Sequence, residues 1–168
     1  TYVYAPYDAS NGEDVTNVSV ECPRDQKIAD GYLYADSAPF IMVNTPSFKT
    51  TTTMRFNMDI QSAILNLRIH ANDIMAEKLS KVVLLSSTDI AGSYYFNLDQ
   101  QERTSPNILS KTVTATAPIS LAVSTDYIHP NDIYTCVWEG VHDITVRVYV
   151  GAYYYESTIS DEFTKAKV

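Results

Sequence analysis

Ile144-Thr145-Val146-Arg147-Val148-Tyr149-Val150-Gly151-Ala152-Tyr153-Tyr154-Tyr155-Glu156-Ser157-Thr158-Ile159 is the stretch whose reading decides the fold. As far as Val150, aliphatic residues hold every even position, with Thr145, Arg147 and Tyr149 between them. Successive side chains of a strand leave on opposite faces, so this pattern buries one face and wets the other. Gly151-Ala152 interrupts it for two residues, the length of a tight hairpin loop, and 153–159 returns as the second strand.

Working outward, the same period of two recurs. Ile119, Leu121 and Val123 alternate with polar or small residues, and Thr112, Thr114 and Thr116 alternate with Val113 and Ala115 in a run that Pro118 ends. Tyr134 to Trp138, Tyr94-Tyr95-Phe96 and Lys81-Val82-Val83-Leu84-Leu85 read as further strands, the last of them central. Nearer the start, 15–20, Tyr32 with Tyr34, and 40–43 are short strands, and Tyr2 with Tyr4 open a strand that stops at Pro6. Met54, Phe56, Met58 and Ile60 share one face, whereas Leu65, Leu67 and Ile69 are out of phase with them. A bulge or short turn near Ser62-Ala63 resets the facing, or else a helix runs over 60–69. One helical turn is expected over 73–78. These runs, separated by Gly, Pro, Asn and Asp, call for two packed antiparallel sheets in a single domain over 1–168, with about 7–10 short strands and at most one short helix.

Composition supports a folded chain and narrows its partners. Of 168 residues 45% are hydrophobic and 19% charged, 13 are Tyr, and the formal net charge is −8. Twelve Lys and Arg against twenty Asp and Glu make a poor phosphate-neutralising surface, so nucleic acid is not an expected partner. No run approaches the roughly 20 apolar residues of a spanning helix. The chain opens at Thr1 without Met or a basic and apolar leader. It therefore reads as a processed product or an excised fragment, with any signal peptide or lipid-anchor cysteine upstream.

Little in the chain is arranged as an active site. His70, His129 and His142 lack the spacing of metal ligands, the acidic residues are scattered singly, and no phosphate loop or nucleophile elbow occurs. The 11–14 and 131–132 turns lack the regular oxygen spacing of a calcium loop. We therefore expect no catalytic residue, no metal, no cofactor and no enzymatic activity. Cys22 and Cys136 either pair, closing a long loop worth about 4–5 kcal/mol in the chain-entropy model, or stay as two buried thiols. Rings with a polar handle suit interfaces and sugar stacking, which makes Trp138, Tyr153, Tyr154 and Tyr155 the candidate binding or interface residues. Asn17-Val18-Ser19 matches a short N-glycosylation pattern.

Several segments, taken in order, resemble the fimbrillin family of Bacteroidales, the subunits of type V pili and related surface proteins. Tyr2-Val3-Tyr4-Ala5-Pro6-Tyr7 is similar to that family's early aromatic strand, and Ala29-Asp30-Gly31-Tyr32-Leu33-Tyr34-Ala35 to its D-L-L-Y-A signature. Met54-Arg55-Phe56-Asn57-Met58, followed by Ala63, Leu65 and Leu67, resembles the F-x-H and L-S-x-L stretch, with Met58 in place of the histidine and Gln61 in place of the serine. Leu79 to Leu84, Tyr127-Ile128-His129-Pro130 and Phe163 to Val168 complete the likeness.

The resemblance implies a Greek-key, transthyretin-like sandwich, here either the amino-terminal domain of a two-domain protein or a shortened relative. It implies a non-enzymatic structural or adhesive subunit, extracellular and outer-membrane-associated, touching the membrane only through an upstream lipid anchor. Its partners are other pilus subunits or host and bacterial surface proteins, joined by adding a strand after proteolytic removal of a first strand. Asp36-Ser37-Ala38 matches a short O-glycosylation pattern of exported proteins in these bacteria, placing the candidate modification on Ser37. The competing expectation is a surface carbohydrate-binding module that stacks glycans on exposed Tyr and Trp.

Overall fold

The computed structural model describes residues 4–5, 9–12, 14–42 and 58–165. The chain is all-β and mostly antiparallel: β1 (Tyr4–Ala5), β2 (Val18–Cys22), β3 (Asp25–Ala29), β4 (Tyr32–Leu33), β5 (Phe40–Met42), β6 (Met58–Ile60), β7 (Ser62–Ile69), β8 (Lys78–Ser86), β9 (Ala91–Asn97), β10 (Glu102–Ser110), β11 (Thr112–Ala122), β12 (Asn131–Trp138), β13 (Gly140–Val150) and β14 (Tyr153–Phe163). Two single-turn 3-10 helices, Ala9–Asn11 and Ala35–Ser37, are the helical elements among the described residues. The fourteen strands among the described residues exceed the expected number, because polar and two-residue strands carry too little alternation to be read.

The strands form hydrogen-bonded groups ordered β14-β13-β8-β11-β3-β4, β10-β9-β2, β1-β5-β6 and β12-β7. The 144–159 hairpin forms as its alternation requires: β13 and β14 pair from Val150↔Tyr153 to Gly140↔Phe163. Gly151 takes the positive φ of 60° that such a loop needs at its first position. β8 lies between β13 and β11, which explains its run of aliphatics. Among the described residues one pair is parallel, β11 with β3, and it makes the six-stranded sheet mixed.

The phase reset falls at Gln61, one residue before the expected place, and 62–69 is strand rather than helix. Gln61 leaves the ladder to donate its N–H to the Pro39 carbonyl at 2.8 Å, while its side chain meets Asp59 and Lys165. The apolar phase therefore passes from Ile60 to Ala63 and Leu65 without a turn of helix. No helical turn forms over 73–78. Pro118 does not end its strand. It sits where the β11–β8 register slips between Thr116 and Leu121, a bulge that tolerates the missing donor. The expected strand residues Tyr2, Met54 and Phe56 lie outside the described residues.

Two apolar clusters hold these sheets together. The larger gathers Ile28, Leu79, Val82, Leu84, Val113, Ala115, Ile144 and Val146 from the six-stranded sheet against Ala63, Leu65, Ile133 and Val137 of β7 and β12. The smaller joins Val18, Val20, Cys22, Phe96, Ile41 and Ile60 to Cys136 and Trp138. β12 is thus buried on both faces near its end, odd residues facing one cluster and even residues the other. Gln26 ties β12 to β3: its amide donates to the Pro23 and Cys136 carbonyls at 2.8 Å, and its oxygen accepts the Cys136 N–H at 2.9 Å.

Candidate functional site

Strand β14 is the outer edge of the six-stranded sheet, eleven residues long, with Ile159 and Phe163 as its only partly covered side chains. Pairing with β13 sets the facing. Ile159 lies opposite Ile144, Tyr155 opposite Val148 and Tyr153 opposite Val150, so these residues look toward the core side. Ile159 and Phe163 pack on the larger cluster. Tyr155 reaches past it and stays 57% exposed. Beneath it opens a cleft of about 570 Å³ lined by Ile69, Met75, Val123, Val148, Val150 and Tyr155, with Arg68, His70 and Asp73 at its rim. A long edge with free N–H and C=O groups beside an apolar cleft is a template for another strand.

The other face of the hairpin is already used. Tyr154 lies 5.4 Å from Tyr149, with the Arg147 guanidinium 5.1 Å from the Tyr154 ring and Lys81 4.4 Å from Tyr149. Arg147 also donates to Glu156 at 2.6 Å, which raises its pKa. These contacts form a cross-strand ladder of rings and cations. The tyrosine triplet is therefore split: Tyr154 belongs to this ladder, whereas Tyr153 and Tyr155 face the other way. No flat platform of three rings results.

Trp138 departs furthest from expectation. It is 1% exposed, donates its indole N–H to the Gly92 carbonyl at 2.9 Å and meets Tyr94 edge-on at 5.1 Å. Arg103 closes the cluster from outside, over Tyr94 and near Glu139. Trp138 is a core residue and presents no ring to a ligand. Ser37 is also 1% exposed, so the folded domain leaves no room for a glycan on its hydroxyl.

Cys22 and Cys136 lie in the same small cluster as free, buried thiols. Burial raises Cys22 well above the ordinary thiol range, and the neighbouring Cys136 adds to the rise. Burial likewise lifts Cys136 to about 11, opposed by the Ser62 hydroxyl. Among the histidines, His142 lies inside β13. Its ring bridges the Thr88 hydroxyl at 2.7 Å and the Trp138 carbonyl at 3.0 Å and stacks on Phe163. His129 meets Asp126 at 2.8 Å in an exposed turn, and His70 lies against Tyr127. Among the described residues no three His, Cys, Asp or Glu converge as metal ligands.

A second cleft, which no local sequence pattern announces, opens on the outer face of the β10-β9-β2 sheet. It holds about 680 Å³ and is lined by Asn11, Asp14, Asn17, Glu21, Ser93 and Tyr95, with Asn107 and Ile108 across from them. Its residues come from four separate segments, so only the fold assembles them. No model of a known protein family matches this chain, and no curated protein matches it.

Proposed function

We propose that this protein is a non-enzymatic surface subunit of the fimbrial kind, a structural or adhesive β-domain that joins copies of itself by strand addition along β14. The observation that carries this reading is the edge itself: eleven residues of strand, unpaired on the outer side among the described residues, beside an apolar cleft under Tyr155. A strand laid against β14 continues the six-stranded sheet, satisfies one row of N–H and C=O groups, and drops alternate apolar side chains into that cleft. Asp161 and Glu162 carry no ion pair among the described residues, and such charges keep an edge from pairing indiscriminately.

The finer architecture belongs to the same proposal. The domain is a two-layer sandwich of Greek-key, transthyretin-like connectivity, a reading supported by the non-consecutive neighbours β13-β8-β11. The resemblance to fimbrillins supplies its setting: an extracellular, outer-membrane-associated protein whose partners are subunits of its own kind or surface proteins of a host or neighbour. The carbohydrate-module reading built on Trp138 and the tyrosine triplet has lost its ring platform.

The test is the assembly state of the full gene product, by light scattering and negative-stain microscopy, before and after limited proteolysis of its amino-terminal region. Strand addition predicts filaments or ladders after cleavage, suppressed by Tyr155→Lys. Monomers under every condition overturn the reading.

A further inference from the structure

The register of the β10-β9-β2 sheet sorts its residues by face. Val18, Val20, Cys22 and Phe96 point into the smaller core, with Tyr94 packed against it. The opposite face carries Glu21, Ser93 and Ile108 in one cross-strand row and Ser19, Tyr95 and Ser105 in the next. The 3-10 turn Ala9–Asn11 stands beside this face as a wall. Asn11 fixes it there: its amide donates to the Tyr4 hydroxyl and the Ser19 carbonyl, and its oxygen accepts the Ser19 N–H at 2.7 Å. Asp14 Oδ1 takes two bonds from Thr16, which lower its pKa and leave Oδ2 to spare.

The groups left over share one chemistry. Ser93 lies on the cleft floor, 7% exposed, and its hydroxyl has no hydrogen-bond partner among the described residues. The residue is buried but its hydroxyl is open to the cleft, where a water or a ligand supplies its bond. Asn17, Glu21 and Asn107 likewise spend no side-chain bond within the described residues, and each amide offers a donor beside an acceptor, the spacing of adjacent hydroxyls. Tyr95 adds one aromatic wall. Among the described residues no Lys, Arg or His lines the cleft, so the two carboxylates repel an anion, and a volume of about 680 Å³ lies within the usual range for small-molecule sites.

We propose that this cleft is a binding site for a neutral saccharide, whose hydroxyls are held by Asn17, Glu21, Ser93 and Asn107 and whose C–H face lies on Tyr95. The site does not depend on strand addition, because its sheet is separate from the one that β14 edges.

The test is an array of defined neutral and anionic glycans probed with the fluorescently labelled chain, followed by amide-shift mapping of the ¹⁵N-labelled chain with the strongest neutral glycan found, with sialic acid and with calcium chloride. The proposal expects signal on neutral glycans and shifts at Asn17, Ser93, Tyr95 and Asn107. It also expects about tenfold weaker binding in Glu21→Ala and Asn107→Ala, exposed positions whose loss leaves the core intact. An array without neutral-glycan signal, shifts with calcium alone, shifts confined to β14, or full affinity in both variants overturns it.

Discussion

Replacing Gln26 by Leu removes the tie between β12 and β3 without changing the side-chain volume much. Three bonds disappear, and two of them, to the Cys136 N–H and carbonyl, are fully buried. A buried backbone group left without a partner costs about 1–3 kcal/mol, so the pair costs about 2–6 kcal/mol, the part-buried Pro23 carbonyl adding less. That is a large share of the about 5–15 kcal/mol that holds a domain folded. Urea denaturation followed by Trp138 fluorescence reads it as a lower midpoint at unchanged slope. Gln26→Glu sharpens the argument. A carboxylate there faces two carbonyl oxygens, so its folded pKa rises above the ordinary value of about 4.3. The folded state then binds the proton more tightly. The variant is therefore least impaired below about pH 4.3 and loses stability as pH rises, by up to about 1.4 kcal/mol per unit until the folded pKa is passed. A Leu variant within about 0.5 kcal/mol of the parent, the scatter typical of surface substitutions, or a Glu variant with the parent's pH profile refutes this account of the tie.

Other consequences follow from close packing and burial. Gly92 has φ 102°, and a Cβ there overlaps the Ile108 carbonyl, so Gly92→Ala separates β9 from β10 and costs about 3 kcal/mol or more; a melting temperature equal to the parent's contradicts it. The thiols of Cys22 and Cys136, buried and raised in pKa, stay protonated at pH 8 and react with an aromatic disulfide reagent only as the domain unfolds. Rapid labelling of the native chain opposes that placement. Trp138→Phe keeps an aromatic ring but removes the indole donor to the Gly92 carbonyl, costing about 1–3 kcal/mol in urea denaturation followed by far-UV circular dichroism, and a neutral result places the indole outside the core.

The legible parts of the fold are strands with one buried face. β13 and β8 read correctly because their neighbours cover one side or both with aliphatics, and the hairpin loop has its glycine where the backbone requires it. β10 escaped because an edge strand carrying Pro106 and mostly exposed polar residues has no alternation to show. β3 escaped because Pro23 masks its start and its core residues are Gln26 and Ile28, one of them polar. The orientation of Trp138 was beyond reach for a different reason. β12 is buried on both faces near its end, and period-two reasoning cannot rank two buried faces. The burial of Ser37 was hidden because a three-residue pattern says nothing about tertiary cover. The polar cleft joins residues of β2, β9 and β10 to a 3-10 turn, and Asn and Ser at such spacings look like ordinary surface in any one segment.

Hydrogen exchange along β14, measured in the free chain and in the assembly, tests the central claim most directly. Strand addition predicts that the outward-facing half of the β14 amides exchanges fast in the monomer, while the half bonded to β13 is protected. In the assembly the outward half becomes slow as well, together with shielding of Tyr155. Assembled protein in which the outward β14 amides still exchange freely contradicts the account.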